Sequence, residues 1–189
     1  MWLRAIFARD EDMVIWNNGK MPWHERADLI RFKKLVGWNI CLMWKATYES
    51  LRDYWKNTKW KETKWYPHAS KNIVISSSMK SEPWIEVIRN IDELKERYKD
   101  EVIYLLWWAS AFNRLMPYID EIYETLVKGK HEWDARIHEF EEKYWFTEYH
   151  PTKEDEKNDK YYDERYDENY DREIESTNPT LQFRRLRKA

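Results

Sequence analysis

Glycine is nearly missing. At the usual share of roughly 7%, a chain of 189 residues carries about 13 glycines; this one has 3, at Gly19, Gly37 and Gly129. Glycine supplies positive-φ turns and lets backbone approach a ligand closely. Its scarcity removes collagen-like and Gly/Ser-linker readings, and no G-x-G-x-x-G or G-x-x-x-x-G-K-[ST] loop is present to cradle a phosphate. Cysteine is reduced to Cys41, which cannot form an internal disulfide; within Ile40-Cys41-Leu42-Met43 it is expected as a buried, inert thiol. Charge of one sign is lacking too. The 33 Lys/Arg and 35 Asp/Glu leave a net charge of −2, so nothing pulls the whole chain toward nucleic acid or membrane. No run approaches the roughly 20 apolar residues of a membrane-spanning helix, and Arg4, Arg9 and Asp10 interrupt the place where a secretory leader would have its apolar core. A cytoplasmic location is expected.

What is present is aromatic and charged: 13 tryptophans, 13 tyrosines and 36% Asp, Glu, Lys and Arg. The length suits one domain over 1–189 with a sizeable core. Short β-branched runs alternate with amphipathic stretches. Strands are expected at Leu3–Ala8, Asn39–Met43, Asn72–Ser76, Trp84–Ile88 and Val102–Leu106, and helices at Glu25–Val36, around Thr47–Arg52, from Asn90 to Tyr98 and at Ala109–Met116. Ile119–Val127, Trp145–His150 and Thr180–Leu186 complete a strand-rich end. This order predicts an α/β fold whose sheet is mostly parallel with an antiparallel edge. Two segments look like insertions, 52–69 and 152–178. The second holds 11 Asp/Glu, 5 Lys/Arg, four tyrosines and one aliphatic residue between Thr152 and Thr177, a composition that predicts a mobile loop.

On the first helix Asp28, Phe32, Leu35 and Val36 share one face. A carboxylate in an apolar stripe needs a partner and marks a candidate site; the same position also suits a carboxylate at the stripe's edge, or one favoured by the helix dipole. Trp55, Trp60 and Trp65, spaced among lysines, fit a stacking surface for single strands or an interfacial anchor, but equally a loop or helix laid on the domain, and neither nucleic acid nor membrane is expected as a partner. His131, Glu132, His138 and Glu139 lack the H-E-x-x-H spacing that puts two ligands on one helical face, so no metal site is expected.

Val14-Ile15-x-Asn17-Asn18-Gly19-Lys20-Met21-Pro22-Trp23-His24, followed by Ala27-Asp28-Leu29-x-x-Phe32-Lys33, resembles the N-terminal signature of dihydrofolate reductases. The resemblance continues in order through Leu42-Met43-Trp44-Lys45-Ala46-Thr47, Asn72-Ile73-Val74-Ile75-Ser76-Ser77, Leu105-Leu106-Trp107-Trp108-Ala109 and Ile122-Tyr123-Glu124-Thr125. It implies an eight-stranded sheet with about four helices, and NADPH-dependent reduction of dihydrofolate by a monomer. By motif position Asp28 would be the catalytic carboxylate. Ile6, Phe7, Leu29 and Phe32 would line the pterin pocket with it, and Met21, Pro22 and Trp23 would belong to the closing loop. Ala8, Ile15, Lys45, Thr47, Ser76 and Ser77 would contact the cofactor.

The departures from the family pattern cluster. Trp16, Trp44, Trp107 and Trp108 stand at family glycines, and Trp133 at a small residue. Ala46 removes a polar side chain near the phosphates, and Ser70 replaces an arginine for the folate tail. Ala135 is read as removing the threonine hydroxyl that bonds the catalytic carboxylate. A cradle filled by indoles removes the hydride donor itself, so an inactive or severely impaired reductase is expected. The alternatives are an active reductase with a rearranged cofactor site and a non-catalytic binding or scaffold protein on the same fold.

Overall fold

Alternation along the first strand, β1 (Trp2–Asp10), sets up the molecule: Leu3, Ala5 and Phe7 enter one core cluster while Ile6 enters another on the opposite face. This computed structural model describes all residues except 18–21, 24, 57–68 and 107–108, and omits the side chains of 16, 54–56, 110, 111 and 142. Around β1 lie β3 (Ile40–Trp44), β4 (Lys71–Ile75), β5 (Ile85–Ile88), β6 (Val102–Leu106), β7 (Glu121–Val127), β9 (Phe146–Glu148) and β10 (Leu181–Lys188), in the order β5-β4-β3-β6-β1-β7-β10-β9. Every pairing from β5 to β7 is parallel; β10 runs antiparallel to both β7 and β9. The sheet is thus mostly parallel with an antiparallel edge, as the alternation of elements predicts. A two-stranded ribbon, β2 (Val14–Trp16) with β8 (Ala135–Arg136), sits beside it.

The expected helices are α1 (Arg26–Val36), α2 (Lys45–Lys56), α3 (Ile91–Arg97) and α4 (Ala109–Leu115); α5 (Glu141–Tyr144), α6 (Lys153–Asn158) and α7 (Glu168–Thr177) are additional. Helix α1 buries Asp28, Arg31, Phe32, Leu35 and Val36, the stripe that a 3.6-residue period requires. It stops at Gly37, where a Cβ would come 2.8 Å from the Lys33 carbonyl oxygen. The left-handed residue that follows is Trp38 (φ 63°), and Met13 (φ 62°) and Trp145 (φ 59°) also occupy this region. Large side chains here do a glycine's work, at a cost of about 1–2 kcal/mol each. Cys41 is fully buried and burial pushes its thiol pKa up, in keeping with an inert thiol.

The acidic segment is a correction. Residues 152–178 are not a mobile loop: they form α6 and α7 and dock through charges. Both oxygens of Asp171 accept from Arg31, at 2.9 and 3.0 Å, and both side chains are buried. Buried Asp163 accepts from the Tyr104 and Tyr123 hydroxyls, the latter at 3.0 Å, and lies 3.5 Å from Arg4. Arg187 pairs with Asp159 at 2.7 Å, and Tyr161 stacks on Trp2 with centroids 4.6 Å apart. Counting aliphatic residues misses this, because the segment is ordered by arginines and tyrosines on other elements. Of the other expected insertion, α2 carries the chain to Lys56, and residues 57–68, including Trp60 and Trp65, lie outside the described residues.

Candidate functional site

The pairing of β1 with β6 is described as far as Ile6, opposite Leu106, the residue before 107–108, and that with β7 through Asp10. The carboxyl ends of such parallel strands are where α/β sheets bind ligands, in a crevice at the switch in strand order. Helix α1 flanks this crevice on one face of the sheet and α4 on the other.

On the α1 side stands Asp28, in the first turn of the helix and only 8% exposed. The Thr125 hydroxyl donates to its Oδ1 at 2.6 Å. Burial pushes the Asp28 pKa above the ordinary carboxylate value; the Thr125 hydrogen bond and the charge of Arg31 oppose that rise, and Glu25 adds to it. A carboxyl that holds its proton unusually well, facing a crevice, is equipped for acid chemistry. The reading of Ala135 is corrected here: a threonine does serve this carboxylate, and it comes from β7 in register with Ala8. Tyr123, two residues before Thr125 on β7, packs on the same α1 face.

The remaining pterin-side residues divide. Ile6 and Phe32 join one cluster with Leu35, Leu29 is 38% exposed, and Phe7 points to the opposite face. Trp23 is buried edge-on to His131, centroids 5.3 Å apart, and its indole N–H has no partner among the described residues. His131 is anchored by Asp10, whose carboxylate also accepts from the backbone of Asp12 and Val14, each at 2.9 Å. That hub ties the β1–β2 turn to the segment entering β8. Met21 of the expected closing loop lies outside the described residues.

On the α4 side the described side chains pack closely. The Phe7 ring meets Phe112 edge-on at 4.5 Å and Phe140 at 6.0 Å. Among the described residues a cavity of about 10 Å³ is bounded by Ile6, Phe7, Ile15, Leu105, Leu106, Phe112 and Ile137. Such a space holds one water at most, whereas a benzene-sized pocket needs about 150 Å³. Trp44 packs half-buried against the same cluster, but Trp133 is 51% exposed beneath the Arg136 guanidinium, 4.1 Å from its ring centre, and fills no interior volume. Trp107, Trp108 and the Trp16 side chain lie outside the described residues.

At the expected phosphate end Thr47 is buried, Lys45 is half-exposed 3.7 Å from Glu49, and Ala46 is exposed. The Ser76 hydroxyl accepts from the backbone of Ser78 and Met79, at 3.3 and 3.0 Å, and Ser77 is exposed beside it. Arg89, which sequence reading missed, donates to the Ser76 and Met79 carbonyls at 2.6 and 2.9 Å and so holds a cation at this turn. No local pattern marked it. Ser70 is exposed at the amino end of β4, its N–H on the Asn39 carbonyl at 3.0 Å. Among the described residues no group of three His, Cys, Asp or Glu is placed to hold a metal ion.

A mostly parallel sheet with helices on both faces, and a buried carboxyl held by Thr125 of β7, defines an α/β protein of the doubly wound kind, and comparison narrows that class. Residues 2–168 match the dihydrofolate reductase family model. The dihydrofolate reductase of Bacillus subtilis is 28% identical over 156 residues, spanning 81% of this chain and 86% of its own length. That of Enterococcus faecium is 28% identical over 156 residues, spanning 80% and 84%. The solved structure of the Enterococcus faecalis dihydrofolate reductase, complexed with NADP(H) and RAB-propyl, aligns with 99% of this chain and 96% of that one at a TM-score of 0.69 and 21% identity, a likeness of fold. The chain belongs to the dihydrofolate reductase family.

Proposed function

We propose that this protein keeps the half of a dihydrofolate reductase site that receives and protonates a pterin, while the half that takes the nicotinamide ring is closed. NADPH-dependent reduction of dihydrofolate is then lost or severely impaired. The observation that carries this reading is the packing of Phe7, Phe112 and Phe140, which leaves a cavity of about 10 Å³ among the described residues. Asp28 holds the proton, Thr125 orients it, and Ile6, Leu29 and Phe32 supply the apolar wall. Lys45, Thr47, Ser76, Ser77 and Arg89 suit the phosphates and adenosine end of a dinucleotide, with Ala8 and Ile15 nearer its ring. NADPH supplies the hydride when bound in this family; the residues here fit its anionic end and not its ring. The protein acts as a cytoplasmic, single-domain monomer, with neither nucleic acid nor membrane as a partner.

Steady-state consumption of NADPH with dihydrofolate tests the reading, with the Bacillus subtilis relative measured alongside. Turnover at least about a hundredfold lower is expected, the size of penalty that even a small misplacement of reactants produces. A rate within a few-fold of the relative overturns the reading.

A further inference from the structure

We propose that Asp171 of α7 is a positioning residue for the Asp28 acid: by taking both arms of the Arg31 guanidinium it keeps that cation off the Asp28 carboxyl. The inference rests on the reading of Asp28 as the group that protonates a pterin. Asp28 and Arg31 stand three residues apart on α1, the spacing at which an aspartate and an arginine pair on one helix face, and both are buried. The Arg31 fork goes elsewhere: its Nε and Nη2 donate to the two Asp171 oxygens at 2.9 and 3.0 Å. Its Cζ lies 4.5 Å from the Phe183 ring centre. Phe183 is opposite Thr125 in the β10–β7 register, and Thr125 is the hydroxyl that serves Asp28. Helix α7 is tied down at both ends. Asp167 caps its first turn and lies 3.9 Å from Lys34 of α1, while Glu175 near its other end accepts from the Phe183 backbone N–H.

A guanidinium that binds one carboxylate through two parallel bonds has little left for a second. With the Arg31 fork committed to Asp171, Asp28 keeps a hydroxyl donor in a desolvated place, and a buried carboxyl without a paired cation holds its proton. In keeping with this, burial raises the Asp28 pKa and the charge of Arg31 opposes the rise without reversing it. The other titratable groups around the pair are Glu25 on α1, Arg4 on β1, Tyr123 on β7, Arg185 on β10, and Tyr166 and Tyr170 from the acidic segment. Arg4 and Arg185 both pair with Glu121, and among the described residues Arg31 is the cation that acts on Asp28. Asp171 lies beyond residues 2–168, which match the family model. The acid therefore falls within the matched span, while the residue that frees it from its cation comes from outside.

The test uses the full chain with carbon-13 in its aspartate carboxyl groups, and NMR follows the titration of Asp28, assigned by the signal that Asp28→Asn removes. Asp171→Asn releases the Arg31 fork and is expected to lower the Asp28 midpoint by at least about one pH unit, the size of effect a nearby cation has on a carboxyl. Asp171→Glu keeps the charge and is expected to restore most of that loss. Arg31→Met combined with Asp171→Leu removes the cation as well, and its Asp28 is expected to titrate at or above the wild-type midpoint. A role in packing alone moves none of these midpoints in this order. The inference is overturned if Asp28 titrates in folded Asp171→Asn as it does in wild type, or if the double variant titrates below wild type. Circular dichroism establishes folding, and the double variant decides should Asp171→Asn not fold. Wild-type turnover judges the wider reading separately: an unmoved midpoint in Asp171→Asn overturns only the role of Asp171.

Discussion

Strand β1 meets two different kinds of packing on its two faces. Around Phe7 the α4 face is apolar, packed by three phenylalanine rings that leave a cavity of about 10 Å³ among the described residues. The α1 face adds buried polar groups to its apolar cluster: Arg4, Arg31, Asp28, Thr125, Asp163 and Asp171 are all buried there and take part in hydrogen bonds or ion pairs. Apolar packing gains by filling space, since each void forfeits contacts, so a ligand pocket on that face is lost whenever a larger ring fits. Ionic packing cannot be filled in this way, because a buried charge must keep its partner. Under the proposed function, this difference is why the acid group of the family site is kept while the ring pocket beside it is not.

The largest effect that separates the two faces is expected at the Arg31–Asp171 pair. Asp171→Ala leaves a buried guanidinium without its carboxylate and should lower stability in urea by about 3–5 kcal/mol, whereas Arg31→Met combined with Asp171→Leu should be close to neutral. A loss below about 1 kcal/mol in the single variant would show that the acidic segment is not held by its charges.

A smaller change with a distinct pH signature is expected at Asp28. Because its folded pKa lies above the ordinary 3.8, the folded protein binds more protons than the unfolded chain from 3.8 up through the raised value. Its contribution to stability therefore falls as pH rises across that window. Asp28→Asn should raise the melting temperature at neutral pH, and the gap to wild type should close as pH falls to about 3.8. A gap independent of pH contradicts a desolvated carboxyl.

The smallest effects belong to the left-handed tryptophans. Trp38 and Trp145 are 78% and 73% exposed, so replacing either by glycine loses little packing while relieving a positive φ. Each substitution should stabilise by about 1 kcal/mol in thermal unfolding; destabilisation would mean that these rings do packing work.

Much of the sheet was legible in the sequence because β-branched runs such as Asn72-Ile73-Val74-Ile75 allow little else. Asp28 was legible for a related reason, as a carboxylate interrupting an apolar helical stripe. Three features were not. Thr125 looks like any strand threonine until the fold brings α1 across it. Arg89 belongs to no motif, and its carbonyl partners Ser76 and Met79 meet it only once β4 and β5 pair. The folding of 152–178 depends on Arg4, Arg31 and Arg187, which come from the first strand, the first helix and the last strand. Local composition carries no trace of such long-range charge partners. Phe7 illustrates the opposite error: its place in the family motif suggested the pterin pocket, but alternation along β1 sends its ring to the other face.

The most direct measurement is a calorimetric titration of the wild-type protein with NADPH. With only its anionic end able to seat, NADPH is predicted to bind no tighter than about 100 μM, worth about 5.5 kcal/mol. Binding with a dissociation constant of about 1 μM or tighter, worth about 8 kcal/mol, would show that the space beside Phe7 opens for the cofactor and would contradict the account.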